Sequence, residues 1–436
     1  MHRNTLAVGA VFALGTAAQA QTFTQSDRFT ADDLVSNEQF GSAIDIQGDV
    51  VAIGRQRDSG QVFYTGSVYL FDLETSELLH TLRPDDPVEQ MFFGATVAMS
   101  DDHIIVGAPF ENNSVGSVFV FDRATLEQQF KILPPNPVGF TRFGNSIAIH
   151  DDRLLIGAPY AQSGTGAAYL YDPNTGQLIS ELQSPTPQSG AQFGNSVALD
   201  ANRAVVAQSA ADVGEQPGAG AVQIFDTRTG SFEQTITKPF PARYESFGGA
   251  VALDGDFLLA SSGEPRPEAG PFAAGVAHLI DLNTGEFVQR YASPDPSSPS
   301  AGATVAIDSD TVLIGAPFFL DGPIVSSAYA FDRTTGQQIA KFVESQQAPY
   351  TEFGATLDLQ DGVAVIGARL SDGYTGSAFR FDIPSAQCAP DLDNSGSVNI
   401  DDLNDFLDRV IDYNNDGNFD FFDIQDFITQ LNQGCP

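Results

Sequence analysis

The sequence predicts an all-β protein, a seven-bladed β-propeller, followed by a small helical module. An aromatic-glycine pair recurs about every fifty residues, each copy contains four short runs of alternating hydrophobicity, and the composition changes near residue 384. The pairs are Phe40-Gly41, Phe93-Gly94, Phe143-Gly144, Phe193-Gly194, Phe247-Gly248 and Phe353-Gly354, with a degenerate copy, Ala301-Gly302, in the sixth position.

Each repeat predicts four antiparallel strands. An alternating strand follows the pair, then a polar turn, a more continuous apolar strand that ends in a Gly-Ala-Pro-like turn, a third strand that ends in Asp, and a fourth strand. In the second copy the landmarks are Gly107-Ala108-Pro109 and Asp122. One such sheet cannot bury both of its faces, whereas seven sheets packed around an axis bury one another. We therefore expect a propeller over residues 21–384.

The seventh copy predicts how the ring closes. It stops after its third strand, Ser377 to Asp382, while a spare strand-like segment, Thr22 to Phe29, precedes the first pair. Phe29 precedes Gly41 by the same interval as Leu82 precedes Gly94. We therefore expect the N-terminal segment to supply the outer strand of the last blade.

An aspartate ends the third strand of every copy. These residues are Asp72, Asp122, Asp172, Asp226, Asp281, Asp332 and Asp382. A functional interpretation would be a ring of carboxylates. Because Asp side chains accept hydrogen bonds from backbone amides two residues further on, recurrence in every copy favours a turn cap instead.

These repeats resemble the FG-GAP repeat family, best known from the heads of integrin α subunits. The resemblance covers about residues 21 to 384 and implies a seven-bladed propeller. Some copies have lost the Gly-Ala-Pro turn, as at Gly54-Arg55, Ala207-Gln208 and Gly367-Ala368-Arg369. Short turns such as Ser100-Asp101-Asp102 replace the calcium loops of integrins, so we do not expect calcium inside the blades.

The N-terminus has the order of an export signal. Arg3 precedes an apolar run from Leu6 to Leu14, and Ala18-Gln19-Ala20 is a small-x-small cleavage site. We therefore expect residues 1–20 to be a signal peptide and the mature protein to be extracellular or at the cell surface. The sequence predicts no transmembrane segment. The net charge of −36 argues against nucleic-acid binding, which requires clustered Lys and Arg.

Residues 385–436 contain two twelve-residue loops with oxygen donors at the spacing that calcium requires. Gly396 and Gly417 occupy the sharp turn of each loop, and an amphipathic segment follows each one. The ligands of the first are Asp391, Asp393, Ser395, Ser397 through its carbonyl, Asn399 and Asp402; those of the second are Asp412, Asn414, Asp416, Asn418 through its carbonyl, Asp420 and Asp423. We expect an EF-hand-like module with two calcium ions.

Cys388 and Cys435 flank this module, and in an exported chain we expect them to form a disulfide. The segment resembles a dockerin of the variant that ends in Gly-Cys. That resemblance implies docking to a cohesin-like protein receptor. Ile400-Asp401 and Phe421-Phe422 replace the small hydroxyl residues with which many dockerins are recognised, which leaves the receptor open.

Two hypotheses of function follow. The first is an exported non-enzymatic binding or adhesion protein, whose propeller recognises a protein or glycan and whose module attaches it to a surface or extracellular assembly. The alternative is a scaffold-attached carbohydrate-active enzyme, a hydrolase or lyase. The sequence favours the first because the acidic residues fall at repeated turns and the five histidines are scattered, so we predict no catalytic residue.

Longer connections interrupt blades four to six, at Asp212 to Gly220, Glu264 to Phe272 and Ser293 to Ser300. Loops on a rigid scaffold commonly carry binding residues. These loops either form a binding surface on one side of the propeller or vary in length without a function.

The second calcium loop should bind more tightly than the first. It has four aspartates at donor positions, against three in the first loop, and ligand charge contributes to affinity. In calorimetric calcium titrations, Asp412→Ala should lose more binding than Asp391→Ala. A larger loss from Asp391→Ala would contradict the ranking.

Overall fold

The computed structural model describes residues 21–383, except 24, 26, 61, 138, 265–273, 294–301, 318–325 and 346–349. The predicted signal peptide, both calcium loops, Cys388 and Cys435 lie outside the described residues.

The described residues form 29 strands and three single-turn segments. The strands are β1 (Gln21–Phe23), β2 (Asp27–Phe29), β3 (Phe40–Gln47), β4 (Val50–Arg55), β5 (Ser67–Asp72), β6 (Leu78–Leu82), β7 (Thr96–Met99), β8 (His103–Ala108), β9 (Ser117–Asp122), β10 (Gln128–Ile132), β11 (Ser146–His150), β12 (Arg153–Ala158), β13 (Ala167–Tyr171), β14 (Leu178–Leu182), β15 (Phe193–Leu199), β16 (Arg203–Gln208), β17 (Ala221–Asp226), β18 (Phe232–Ile236), β19 (Val251–Asp254), β20 (Phe257–Glu264), β21 (Ala274–Asp281), β22 (Glu286–Ala292), β23 (Thr304–Ile307), β24 (Thr311–Ala316), β25 (Ser327–Asp332), β26 (Gln338–Phe342), β27 (Thr356–Gln360), β28 (Val363–Ala368) and β29 (Ser377–Asp382). The single-turn segments are α1 (Glu111–Ser114), α2 (Ala161–Gly164) and α3 (Ser371–Tyr374).

Seven antiparallel sheets confirm the predicted propeller. Strands β3–β6, β7–β10, β11–β14, β15–β18, β19–β22 and β23–β26 form blades one to six, and β27–β29 begin blade seven. The first strand of each blade contacts the first strands of both neighbouring blades all round the ring. Seven clusters of buried apolar side chains fill the seven interfaces between consecutive blades.

The N-terminal segment closes the ring as predicted. Strand β2 pairs antiparallel with β29 and completes blade seven, with Phe29 opposite Ala378. Phe29 is fully buried, and its ring centroid lies 5.3 Å from that of Phe71 in blade one. Strand β1 was not predicted separately: it pairs in parallel with β26, as a fifth strand on blade six. The segment therefore ties together three consecutive blades.

The aromatic-glycine pair holds each blade to the one before it. The Phe93 N–H donates to the Thr65 carbonyl at 2.8 Å, and the Phe143 N–H donates to the Val115 carbonyl at 3.0 Å. Gly66, which follows Thr65, lies so close that an added Cβ would be 1.9 Å from the Phe93 carbonyl oxygen. Glycine is therefore required where the third strand of blade one begins.

The glycine of the pair completes this connection. Gly94 has φ +85°, and its N–H donates to the Gly107 carbonyl at 3.1 Å. Its own carbonyl accepts a bond from Ser42 Oγ of the preceding blade at 3.1 Å. In the degenerate sixth copy, Gly302 has φ +81° and donates to the Gly315 carbonyl at 2.8 Å. The bond within the blade therefore depends on the glycine and persists in the copy without phenylalanine.

The altered Gly-Ala-Pro turn of blade one contains a buried arginine. Only 2% of Arg55 is exposed; its guanidinium pairs with Glu38, lies 3.3 Å from Asp33 Oδ2 and bonds the Tyr69 hydroxyl. Asp33 and Glu38 belong to the link between the closing strand β2 and β3. Arg55 therefore anchors the N-terminal link to blade one.

The aspartates that end the third strands cap turns in six blades, as predicted. The Thr75 and Thr125 N–H groups each donate at 2.7 Å to the preceding strand-end carboxylate, Asp72 or Asp122. Equivalent bonds occur at Asp172, Asp226, Asp281 and Asp332. Asp382 differs and forms an ion pair with Arg380 at 2.7 Å.

Loss of the closing strand should open the ring. Phe29→Ala should lower the free energy of unfolding by about 3–5 kcal/mol, as expected for truncation of a fully buried aromatic ring. Deletion of residues 21–30 should cost more. Denaturant unfolding of full-length variants measures this, with the exposed Asp27→Ala on the same strand as the control. An unchanged midpoint for Phe29→Ala would contradict the role of β2.

Candidate functional site

The ring has two chemically different faces. We call the face that carries the aromatic-glycine pairs and the Gly-Ala-Pro-like turns the motif face. There the Gly94 N–H donates to the Gly107 carbonyl and joins a pair to a turn. The opposite turn face carries the short turns after first and third strands, joined for example by the Arg123 N–H and the Asp102 carbonyl at 2.9 Å.

Aromatic side chains line the motif face across blades one to three. This aromatic row consists of Phe63, Tyr64, Phe92, Phe110, Phe140 and Tyr160. Ring centroids are 3.8 Å apart for Phe63 and Tyr64, and 4.9 Å apart for Phe92 and Phe110. Phe63 and Phe140 are each 48% exposed. The other four rings are half-buried, so the row is a partly exposed aromatic surface, and such surfaces are typical of interaction sites.

Arg142 joins the two halves of the row. Its guanidinium carbon lies 4.8 Å from the Phe110 ring centroid, 4.9 Å from that of Phe140 and 4.8 Å from that of Tyr160. Cation–π attraction to three rings holds them around one rigid group. Arg142 and Phe92 both precede an aromatic-glycine pair and have φ +51° and +56°. The residue at this position has a positive φ in four other copies as well, at Gln39, Gln192, Ser246 and Glu352, so the conformation belongs to the repeat.

Two grooves lie on either side of Phe140. The groove at blade two has a volume of about 830 Å³ and the groove at blade three about 610 Å³. Segment α1 presents Asn112 and Asn113 to the first groove, and α2 presents Gln162 and Ser163 to the second. All four polar residues are exposed and have φ between 51° and 63°. The same left-handed turn therefore places polar groups beside aromatic rings in successive blades.

The central channel carries two carboxylates. Four residues after the repeat glycine, five blades have alanine, at Ala98, Ala148, Ala198, Ala252 and Ala306. The same position holds Asp45 in blade one and Asp358 in blade seven. Asp45 accepts a bond from the Met99 N–H at 2.9 Å, and Asp358 accepts one from the Ile46 N–H at 2.7 Å. The two carboxylates thus connect the inner strands of blades seven, one and two.

Comparison with known families agrees with this geometry. The FG-GAP repeat family matches residues 23–71, 78–121 and 126–171. The chain contains FG-GAP repeats. A search of curated proteins gave no match. FG-GAP propellers are typical of integrin-like binding proteins at the cell surface or outside the cell. No helix in the described part of the chain is long and apolar enough to cross a membrane.

The channel carboxylates of the FG-GAP propeller have raised pKa values. Burial and the neighbouring Asp358 carboxylate hold the pKa of Asp45 well above its usual range, against the opposing effects of the Met99 N–H and Arg123. Burial raises the pKa of Asp358 to about 6, although the Ile46 N–H opposes the shift. Protonation of either carboxyl group therefore stabilises the folded state.

None of the predicted calcium ligands lies within the described residues. Within those residues, no group of three or more His, Cys, Asp or Glu side chains is arranged to hold a metal ion.

The aromatic row was not predicted from the sequence, although the repeat contains its signal. Phe92 and Arg142 directly precede aromatic-glycine pairs, while Phe110 and Tyr160 directly follow Gly-Ala-Pro turns. Alignment of the copies would have shown these bulky residues at matching positions. The sequence instead drew attention to the longer loops of blades four to six. Of these, only the loop 212–220 is fully described.

Protonation of the channel pair should stabilise the FG-GAP propeller. An acid with a raised folded pKa contributes most below its unfolded pKa, near 3.9, and that contribution is lost as the pH rises through about 6. The melting temperature should therefore rise between pH 7.5 and 5. Asp358→Asn, which retains an acceptor for the Ile46 N–H, should flatten this dependence.

The matched control is Asp101→Asn at an exposed turn. The turn caps do not interfere, because Asp72 and Asp122 have lowered pKa values, caused mainly by the Thr75 and Thr125 backbone N–H groups, and titrate at lower pH. The same slope in Asp358→Asn and in the unmodified chain would refute the assignment.

Proposed function

We propose that this chain is an exported, non-enzymatic binding protein that recognises a protein or glycan through the motif face of its FG-GAP propeller. The observation that carries the proposal is the aromatic row with its two grooves. Large exposed rings provide much contact area at low conformational cost, and central aromatic residues commonly dominate binding energy.

The course of the chain supports an arrangement with two separate attachments. Strand β29 ends at Asp382, and the Ile383 N–H donates to the Gly362 carbonyl in the turn after β27, at 2.8 Å. The chain therefore leaves the ring at the turn face, opposite the aromatic row. Attachment through the residues that follow would begin at the turn face.

The residues after 383 would provide that attachment. In this proposal the loops 391–402 and 412–423 bind two calcium ions, and a disulfide between Cys388 and Cys435 ties the ends of the module together. The receptor would be a cohesin-like or other protein of a surface or extracellular assembly. Residues 1–20 would direct export.

A carbohydrate-active enzyme is the second candidate, because paired carboxylates with a raised pKa occur in glycoside hydrolases. Asp45 and Asp358 are such a pair. Both, however, are engaged with backbone N–H groups of the next blade. The channel cavity beside Asp45 has a volume of only about 200 Å³ and a lining that is largely alanine and larger aliphatic side chains. These features favour a structural role for the pair.

Truncation within the aromatic row should weaken binding without unfolding the ring. Phe140→Ala should weaken retention of the full-length chain on cell-envelope or extracellular material of the source organism by at least about tenfold, the effect of losing a central aromatic contact. Phe232→Ala is the matched control, because Phe232 is 44% exposed on the outer strand of blade four. Equal retention of both variants would contradict the proposal.

A further inference from the structure

The two grooves beside Phe140 have few charges available to a ligand. The buried Glu111 carboxylate is paired with Lys131 and accepts a bond from Ser117 Oγ. The Arg142 guanidinium is enclosed by three aromatic rings. Glu89, which is exposed, carries the remaining charge of the groove lining, and beside the second groove the Glu181 carboxylate accepts a bond from the Gln162 amide at 3.1 Å. A strongly ionic ligand would find little opposite charge here.

The groups that do face the grooves are rings, amides and hydroxyls. Phe140 borders both grooves, with Asn112 and Asn113 on one side and Gln162 and Ser163 on the other. An aromatic ring offers a flat apolar surface, and an amide both donates and accepts hydrogen bonds. A pyranose has the complementary chemistry, with an apolar C–H face and a rim of hydroxyl groups.

The grooves also repeat. Segments α1 and α2 occupy equivalent positions in adjacent blades, and both present polar side chains from left-handed turns beside aromatic residues. The equivalent segment of blade seven, α3, differs, because Asp372 is paired there with Arg28. Two similar subsites one blade apart suit a ligand whose own units repeat. A neutral polymer fits this arrangement better than a protein surface.

We propose that the grooves bind an extended neutral glycan, with sugar units on both sides of Phe140. This inference rests on the proposed binding function and specifies its ligand. Arg142 acts as a positioning residue that holds Phe110, Phe140 and Tyr160 in one arrangement. Lysine cannot replace its planar group, because a compact ammonium cannot stack on several rings.

Affinity electrophoresis of the full-length chain tests the proposal. The gels contain cellulose derivatives, β-1,3-glucan, mannan or soluble chitin as neutral probes, and alginate as an anionic probe. At least one neutral polysaccharide should retard the chain. Phe140→Ala should lower the apparent affinity at least tenfold, and Arg142→Lys should lower it measurably while the melting temperature stays within a few degrees. Phe232→Ala should migrate as the unmodified chain does.

Failure of this inference can be separated from failure of the proposed function. If envelope material binds in a Phe140-dependent manner, but protease treatment of that material abolishes binding and periodate oxidation does not, the ligand is a protein and the glycan proposal is overturned. Retardation by alginate alone also overturns it. If envelope material does not bind, or binds Phe140→Ala equally well, both proposals fail.

Discussion

The structure depends on the backbone contact between the aromatic-glycine pair of one blade and the third strand of the preceding blade. The Phe93 N–H reaches the Thr65 carbonyl only because Gly66 leaves room for the Phe93 backbone. This contact fixes the position of each sheet relative to its neighbour and lets their apolar faces form a shared core. The fold is therefore a series of nearly identical interfaces between blades. Only closure of the ring requires a segment outside the regular repeat, the N-terminal strand.

Several residues that depart from the repeat lie at the interface where the ring closes, between blades seven and one. The buried Arg55 replaces the alanine of a Gly-Ala-Pro turn and pairs with Glu38 in the link that follows the closing strand. Asp45 and Asp358 replace the channel alanines in the two blades that meet there. Buried ionic groups cost desolvation energy, so their presence at one interface favours a role in specifying closure over a role in general stability.

The same backbone contacts explain why recognition is assigned to the motif face. In the described part of this face they tie the backbone next to the pair to the preceding blade, while the side chains beside the pair differ from copy to copy. Phe92 and Arg142 are bulky side chains at a position whose left-handed backbone conformation recurs in other copies of the repeat. The turn face, by contrast, uses aspartate to cap its turns and has little variation from blade to blade.

The sequence by itself determined the number of blades, the strand order, the presence of a closing strand within Thr22 to Phe29 and the capping role of the aspartates, because each depends on local spacing that repeats along the chain. The tertiary structure decided the separate position of Gln21–Phe23, the pairing of Asp45 with Asp358 and the assembly of the aromatic row. These features join residues from different blades, and the distance between blades is set by packing around the axis. The sequence of a single copy does not specify which residues of a neighbouring blade its side chains will contact.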